Sequence, residues 1–265
     1  MEYQRIRIEF ENRIALLTLN HPQALNAVSL QMIRELNQVL DEIEDPSRGA
    51  RCLLLTGEGR GFCAGANLSD PEKKMGAAQE RDLGAGLEKW YNPFLLRLRD
   101  LPMPIVTAVN GPAAGVGMSF AMMGDLVLAA RSAFFLQAFR RIGLIPDGGA
   151  TFILPRMIGF SRAMELSLLG ERLPAEKALE WGLINRVYED DQLMPEALKL
   201  ARSLAEGPTE ALRLIRQAYW KSYDNTYEAQ LKLERILQKK AGSTDDFLEG
   251  VTAFLEKRPA KFKGN

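Results

Sequence analysis

The sequence predicts an α/β protein in which strands and helices alternate and a mainly helical C-terminal part follows. Apolar residues at every second position indicate a strand at Ile6, Ile8 and Phe10, and apolar residues recur at helical spacing after Ser29. Further buried strands alternate with helical segments up to about residue 160. Beyond that point the strand signal nearly disappears, which indicates an α/β core with helices packed on it or on a neighbouring subunit.

The predicted elements follow one another along the chain. Residues 14–19 complete a hairpin with the first strand, and Ser29 is the expected N-cap of the first helix, which ends before Pro46. The other predicted strands are 51–56, 105–109, 126–130, 134–137 and 184–187. The other predicted helices are 79–98, 117–123, 163–169, 175–181, 195–204, 208–222 and 226–240.

Length and composition suit a large globular domain. The 265 residues are 46% hydrophobic and 26% charged, which is enough for a substantial core. Because 34 basic and 34 acidic residues cancel, no chain-wide attraction to nucleic acid or anionic lipid is expected. No run approaches the roughly 18 apolar residues of a membrane span, and no signal-peptide core is apparent. We therefore expect a cytoplasmic protein with no nucleic-acid or membrane partner.

Cysteine and histidine are too scarce for several kinds of site. Cys52 and Cys63 lie in apolar surroundings, so free buried thiols in a reducing compartment are expected. His21 is the single histidine, and it precedes Pro22 in what reads as a surface turn. A Ser-His-Asp triad would have to use it, and a histidine-rich metal site cannot be built. Any catalysis must rest on carboxylates, hydroxyls or backbone groups, and no metal is expected.

Two glycine-containing turns each follow a predicted strand, at 61–68 (GFCAGANL) and 110–117 (NGPAAGVG). Small residues let a ligand approach the backbone, and N–H groups at a helix N-terminus favour negative charge. Two such turns on adjacent strands could direct two amides at one oxygen, as in an oxyanion hole. Either turn alone is more simply explained by close packing. A dinucleotide-binding loop is a poor alternative, because Phe120 stands at the third glycine of that fingerprint.

A carboxylate follows both turns in a hydrophobic stretch. Segment 142–151 (IGLIPDGGAT) contains Asp147, which in isolation reads as a turn residue that caps a helix. Together with two candidate oxyanion turns, Asp147 becomes a candidate proton-transfer group. Of the other carboxylates, Asp125 is expected to be a structural cap, and Asp70 and Glu72 are expected to be solvated.

In their order and spacing, the three segments resemble the crotonase superfamily, that is, the enoyl-CoA hydratase/isomerase family. Further matching stretches lie at 23–27 (QALNA), 178–184 (ALEWGLI) and 254–258 (FLEKR). The resemblance covers nearly all of the chain and implies a crotonase-like spiral of ββα units followed by trimerisation helices. It implies an acyl-CoA-binding core at 1–200 and a helical oligomerisation region at 201–265.

The resemblance also implies partners and residue roles. The partners are an acyl-CoA thioester and further copies of the chain, in a homotrimer or homohexamer. Because CoA is part of the substrate, no separate cofactor is implied. The oxyanion amides fall on Ala66 and Val116, where Val116 replaces the commoner glycine or alanine. Contacts with CoA or substrate are implied at Ala24, Leu25, Ala64, Ala66, Asn67, Leu68, Gly115 and Lys257.

Isomerisation is the reaction that these residues favour. Family hydratases use two glutamates, and the matching positions hold Ser119 and Phe139, neither of which transfers a proton as a carboxylate does. Asp147 stands where several family isomerases carry their acid/base group, and its LIPDGG stretch most resembles a phenylacetate-pathway isomerase that acts on an epoxide ring. A 1,3-proton shift needs one base and one oxyanion hole. Whether Ser119 takes part is open.

Other functions stay open on the sequence alone. They are a true enoyl-CoA hydratase, another reaction of the superfamily such as dehalogenation or decarboxylation, and a non-catalytic acyl-CoA-binding protein. An RNA-binding protein on the same fold is disfavoured by the balanced charge. Trp90, Phe94 and Leu95 lie on a helix that lines the acyl pocket in relatives, whereas Met122 and Met123 are expected in the core.

Overall fold

The computed structural model describes residues 3–70 and 82–265. The strands of this part are β1 (Ile6–Glu11), β2 (Ile14–Leu19), β3 (Cys52–Gly57), β4 (Ile105–Val109), β5 (Ala113–Ala114), β6 (Leu126–Ala130), β7 (Phe134–Leu136), β8 (Leu173–Pro174) and β9 (Arg186–Tyr188). The α-helices are α1 (Leu30–Glu44), α2 (Leu83–Gly86), α3 (Asn92–Asp100), α4 (Val116–Ala121), α5 (Ala150–Ile158), α6 (Phe160–Leu169), α7 (Ala175–Glu180), α8 (Leu193–Ala205), α9 (Thr209–Ser222), α10 (Tyr227–Ala241) and α11 (Asp245–Leu255).

Two sheets form the core. The larger has the strand order β1-β2-β3-β4-β6-β9, in which only the β1–β2 pair is antiparallel. The smaller has the order β5-β7-β8. All six residues of β3 and all five of β4 are buried, as is typical of parallel strands covered on both faces. The predicted α/β class is confirmed.

The β1–β2 hairpin turns at Asn12 and Arg13, which have φ angles of 51° and 65°. Positive φ at both turn residues matches the right-handed twist of the strands. The hairpin register places Ile6 opposite Leu19 and turns the apolar residues of β1 toward the core. The predicted hairpin is therefore confirmed.

Two side chains cap helix α1. Ser29 Oγ accepts a hydrogen bond from the Met32 amide at 3.1 Å, as predicted. Asp70 Oδ2 accepts one from the Leu30 amide at 2.6 Å, and Asp70 is only 6% exposed. A carboxylate at a helix N-terminus is stabilised by the N–H groups and the helix dipole. The prediction that Asp70 is solvated is therefore wrong, and Glu72 lies outside the described residues.

Several elements differ from their predicted bounds. The start of the predicted 79–98 helix lies outside the described residues, and the rest consists of α2, a π-helical turn at Leu87–Tyr91, and α3. The sequence did not indicate β5, β8, α5 or α11. The two strands have two residues each, too short to show a periodicity, and α5 contains Pro155, which argues against a helix. His21 lies in the expected turn, but it is half-buried.

The C-terminal segment is held to the core by two buried charged residues. Arg51 donates hydrogen bonds to Thr209 Oγ1 at 2.5 Å and to the Phe262 carbonyl at 3.3 Å. Asp246 accepts hydrogen bonds from the Lys263 and Gly264 amides at 2.6 and 2.8 Å. These contacts fix the chain end, although it contains no regular secondary structure.

Helices α10 and α11 present exposed apolar side chains. On α11, Phe254 is 81% exposed, and Leu248 and Val251 are exposed as well. Contiguous apolar surface of this kind usually marks an interaction face. The oligomerisation region at 201–265 and the trimer or hexamer stay predictions. Within the part of the chain that the structure describes, no helix has both the length and the apolar character to cross a membrane.

Asp125 is a structural cap, as expected, and its partner is Arg216 of α9. Asp125 Oδ2 accepts hydrogen bonds from the Ile105 amide at 2.7 Å and from Arg216 Nε at 2.6 Å. The Arg216 side chain is 6% exposed and also donates to the Leu98 and Leu101 carbonyls. One guanidinium thus connects α9 to the end of α3 and to the start of β4.

We expect Arg216→Met to lower the free energy of unfolding by about 3 kcal/mol, because it leaves a carboxylate and two carbonyls without their donor. Urea denaturation followed by circular dichroism measures the change. Arg131→Met is the matched control: Arg131 is exposed and pairs with Glu176 and Glu189, so its loss should cost less than about 1 kcal/mol. Equal losses in the two variants would contradict this account of the Arg216 contacts.

Candidate active site

The first glycine-containing turn is paired with the segment that precedes α1. The Ala64 amide donates to the Leu25 carbonyl at 2.9 Å, the Val28 amide to the Gly65 carbonyl at 2.7 Å, and the Asn67 amide to the Val28 carbonyl at 2.9 Å. These bonds place the predicted contact residues at 24–25 beside those at 64–68. Two segments that are about 40 residues apart in the sequence therefore form one surface.

Asn26 stabilises this pairing through hydrogen bonds of its side chain. It was not predicted as a structural residue. It is fully buried, with φ of 57°. Its amide nitrogen donates to the Gly61 carbonyl at 2.7 Å and to the Glu58 carbonyl at 3.0 Å, while its Oδ1 accepts from the His21 amide at 2.7 Å. Asparagine tolerates a positive φ better than most residues and carries both a donor and an acceptor. Its place in the QALNA stretch was the available signal.

The second turn packs directly on the first. The Cys63 amide donates to the Pro112 carbonyl at 3.0 Å, and the Ala114 amide donates to the Cys63 carbonyl at 2.9 Å. At Gly117, an added Cβ would lie 2.7 Å from both Cβ and Sγ of Cys63 and closer still to its carbonyl oxygen. Only glycine therefore lets α4 approach the first turn this closely.

The predicted amides of Ala66 and Val116 each follow a glycine with positive φ. Gly65 has φ of 97° and Gly115 has φ of 53°, and a Cβ on Gly115 would lie 3.9 Å from the Gly65 Cα. Val116 is the first residue of α4, where helix geometry leaves the amide without an intrahelical acceptor. Within residues 3–70 and 82–265, neither the Ala66 nor the Val116 amide donates to a carbonyl. The fold thus brings two donor groups to adjoining turns.

The loop that carries Asp147 lies against the start of α4. Ser119 Oγ donates to the Asp147 carbonyl at 3.0 Å. At Gly148, whose φ is 60°, an added Cβ would lie 3.2 Å from Val116 Cγ2 and 2.8 Å from Ser119 Cβ. The Asp147 side chain is half-buried, and its Oδ1 is shielded from solvent. The structure therefore brings together Asp147 and the turn that contains Val116.

The simpler interpretation of Asp147, a side chain that caps a helix, does not describe the structure. The N-cap of α5 is Gly149, and no side chain caps that helix. It is the Asp147 carbonyl, not the carboxylate, that accepts a hydrogen bond from the Ala150 amide, at 3.2 Å. The cap of α5 therefore involves the backbone of Asp147 and not its carboxylate.

A cavity of about 400 Å³ opens beside this loop, between α3 and α5. Its apolar walls include Leu95, Leu96, Met123, Phe152 and Ile153, and Gly148 and Gly149 form the side next to Asp147. A mostly apolar cavity with a few polar groups is the usual form of a small-molecule site.

Trp90, Phe94 and Leu95, which were predicted to lie on one helix beside the acyl pocket, have different surroundings. Leu95 lines the cavity, and Phe94 is fully buried, with its ring 5.2 Å from that of Phe120. Trp90 contacts the cationic groups of Arg34 and Lys89. Both methionines 122 and 123 are buried as predicted, although Met123 also reaches the cavity wall. Of the three, Leu95 is therefore the one that lines this cavity.

Comparison with known proteins decides the family. The family model described as enoyl-CoA hydratase/isomerase matches residues 9–265. The chain belongs to this family. A 1,2-epoxyphenylacetyl-CoA isomerase of Escherichia coli is 49% identical over 255 residues, covering 96% of each chain. A probable enoyl-CoA hydratase of Rhodobacter capsulatus is 42% identical over 265 residues, covering all of both chains.

Solved structures agree with this family assignment. The crystal structure of a putative enoyl-CoA hydratase from Streptomyces coelicolor has a TM-score of 0.91 and 32% identity, covering 100% of this chain and 96% of that one. An enoyl-CoA hydratase from Bacillus anthracis has a TM-score of 0.91 and 31% identity, covering 99% and 100%. The crotonase fold expected from the sequence motifs is therefore confirmed.

In this enoyl-CoA hydratase/isomerase family member, Ser119 and Phe139 stand at the two positions where the resemblance implies the hydratase glutamates. Ser119 is fully buried, and its hydroxyl is committed to the Asp147 carbonyl. Phe139 is buried as well, and its ring Cζ would lie 3.7 Å from a Cβ on Gly115. An aromatic ring thus borders the turn that precedes Val116.

The implied CoA contacts fall in two places. Ala24, Leu25, Ala64 and Asn67 lie on the paired segments described above, and Leu68 extends from them as an exposed side chain. Lys257 follows α11 in the C-terminal region and has φ of 56°. No hydrogen bond or ion pair among the described residues joins Lys257 to the paired segments. Its role in a CoA site stays a prediction.

Both cysteines are free and buried, as predicted. Burial raises the pKa of Cys63 and that of Cys52 to about 12 in each case. Both thiols are therefore neutral at physiological pH, and a neutral buried thiol is a poor nucleophile. Cys63 accordingly serves in this site through its backbone and its packing against Gly117.

Gly117→Ala tests the contact between the two turns. We expect it to lower the free energy of unfolding by about 2–3 kcal/mol, because the new methyl group overlaps Cys63. Gly86→Ala is the matched control, since Gly86 is helical with open space around its Cα and should change stability by less than about 1 kcal/mol. Denaturant titration of both variants measures the difference. An unchanged Gly117→Ala protein would show that the turns do not depend on this contact.

Proposed function

We propose that the chain is an acyl-CoA isomerase that moves a double bond by a 1,3-proton shift. The Ala66 and Val116 amides would bind the thioester oxygen, and Asp147 would transfer the proton. The observation that carries this proposal is the packing of the Asp147 loop on Val116 and Ser119, which holds one carboxylate beside the candidate oxyanion turns.

The reaction can be written with these groups alone. With a 3-enoyl thioester, Asp147 removes a proton from C2, which lies between the carbonyl and the C3–C4 double bond, and the electron pair of the broken C–H bond moves into the thioester carbonyl. The resulting dienolate oxygen accepts hydrogen bonds from the two amides, which stabilise charge as it develops. The protonated Asp147 then returns the proton to the carbon at the other end of the three-carbon unit. No atom is gained or lost, so one carboxylate is sufficient.

The absence of a carboxylate at positions 119 and 139 supports isomerisation over hydration. Water addition needs one group to activate the water and another to deliver the α-proton. At the two relevant positions, the Ser119 hydroxyl is already donated to a backbone carbonyl and Phe139 presents an aromatic ring. The name of the Escherichia coli relative, an isomerase of an epoxide-bearing acyl-CoA, agrees with this proposal.

Hydration is the second candidate, because the Rhodobacter capsulatus relative is named a probable enoyl-CoA hydratase. The two reactions have opposite optical signatures. A 3-enoyl-CoA gains conjugation when it is isomerised, whereas a 2-enoyl-CoA loses conjugation when water adds. We expect a rise in absorbance with the first substrate and no change with the second. Loss of conjugation with uptake of labelled water oxygen would favour the hydratase instead.

Asp147→Asn should lower kcat by about a thousandfold or more, since asparagine cannot carry the proton, and it should leave acyl-CoA affinity within about threefold of wild type. The backbone bonds of the loop are unchanged by this substitution. Asp191→Asn, which removes one exposed carboxylate, is the charge-matched control and should retain full activity. Kinetics with 3-enoyl-CoA and calorimetry with a saturated acyl-CoA measure the two quantities. Near-normal turnover in Asp147→Asn would exclude Asp147 as the proton carrier.

A further inference from the structure

Tyr91 carries a buried hydroxyl that no described residue satisfies. The residue is 6% exposed, and within residues 3–70 and 82–265 its hydroxyl oxygen has no hydrogen-bond partner. A buried polar group without a partner costs free energy, and native proteins keep few of them. Because Cys63, Asp147 and Asp70 lie near this hydroxyl, a ligand of the candidate site is a suitable source of the missing partner.

Tyr91 adjoins the cavity between α3 and α5 along the chain. Tyr91 is the last residue of the π-helical turn that precedes α3, and π-helical turns occur often at functional sites. Asn92 and Leu95, which follow Tyr91 by one and four residues, both line the cavity. Tyr91 thus directly precedes the part of α3 that forms the cavity wall.

Contacts of the Tyr91 ring place it beside the proposed reacting groups. Its ring centre lies 6.5 Å from that of Phe120 on α4. Phe120 follows Ser119, whose hydroxyl binds the Asp147 carbonyl. Tyr91 thus packs on the helix that begins at the candidate oxyanion amide of Val116.

The charge state of Tyr91 makes its hydroxyl a donor. Burial is the main cause that raises its pKa above the ordinary value, and the nearby Cys63, Asp147 and Asp70 raise the pKa further. Cys63 belongs to the first turn and Asp147 to the loop before α5, so acidic groups from two segments of the site lie near the hydroxyl. The phenol is therefore neutral at physiological pH and able to donate one hydrogen bond.

We infer that the Tyr91 hydroxyl donates a hydrogen bond to an oxygen atom in the acyl part of the substrate and so selects oxygen-bearing acyl groups over hydrocarbon ones. This inference rests on the proposed function, because that function assigns the thioester oxygen to the Ala66 and Val116 amides. The acyl group is then the part of the substrate near Tyr91. An ether or epoxide oxygen is an uncharged acceptor, which suits a neutral phenol donor.

Two saturated thioesters that differ in one atom test this inference. Tetrahydrofuran-3-ylacetyl-CoA carries a ring oxygen where cyclopentylacetyl-CoA carries a methylene, and neither has a double bond to move. Calorimetry gives the affinity of each for the wild-type protein and for Tyr91→Phe. We expect the preference for the ring ether over the cyclopentane to fall about tenfold in Tyr91→Phe, chiefly through weaker ether binding.

Tyr188→Phe, on the outer strand β9, is the matched control and should leave the preference unchanged. An unchanged preference in Tyr91→Phe, or an equal weakening of both ligands, would overturn the inference. A marked fall in the melting temperature of Tyr91→Phe would also overturn it, because that result means the hydroxyl is satisfied by the protein. Neither thioester is isomerised, so these measurements stand apart from a failure of the proposed proton shift, which appears only in the turnover assay.

Discussion

The contact between two glycine-containing turns determines the shape of this site. The turns follow β3 and β4, which are neighbouring parallel strands, so both leave the same edge of the sheet. Gly117 allows α4 to approach Cys63 of the first turn. This approach brings the Val116 amide, at the start of α4, close to the turn that carries the Ala66 amide. A donor pair built from backbone needs no particular side chain, which explains how valine can stand at 116. The residues that cannot be changed freely are instead the two glycines beside it, Gly115 and Gly117.

Buried polar residues hold these turns in place. Asn26 joins the segment before α1 to the first turn, and Asp70 joins the end of that turn to the start of α1. On the other side, Ser119 fixes the Asp147 loop through its carbonyl. Each uses hydrogen bonds from one segment to the backbone of another, so the positions of the candidate groups are set by the fold. Rigid support of this kind is what a pre-organised site needs.

Much of the fold was predictable because its strands are buried and its first helix is strongly amphipathic. The apolar runs at β3 and β4 and the cap at Ser29 are local signals, and the structure has them as expected. Asp70 was mispredicted because its partner, the Leu30 amide, lies 40 residues away. The role of Arg216 escaped the sequence for the same reason, since its partners lie about 100 residues earlier in the chain.

The candidate site was predictable only in part. The two turns and Asp147 stand in recognisable stretches, but the residues alone indicated close packing and a helix cap, and the family resemblance supplied their roles. Tyr91 gave no signal, because the burial of its hydroxyl depends on packing around a π-helical turn, which no local sequence pattern indicates. The acyl group that the site accepts therefore depends on side-chain packing that the sequence pattern does not show.

The central claim is that two backbone amides hold the thioester oxygen as it becomes anionic. Infrared difference spectroscopy of an acyl-CoA with a ¹³C-labelled thioester carbonyl tests it most directly, in Asp147→Asn so that no turnover occurs. Two aligned donors should shift the carbonyl stretch well below its frequency in water, because they polarise the bond more strongly than solvent does. A bound carbonyl that absorbs at or above its frequency in water would contradict the claim.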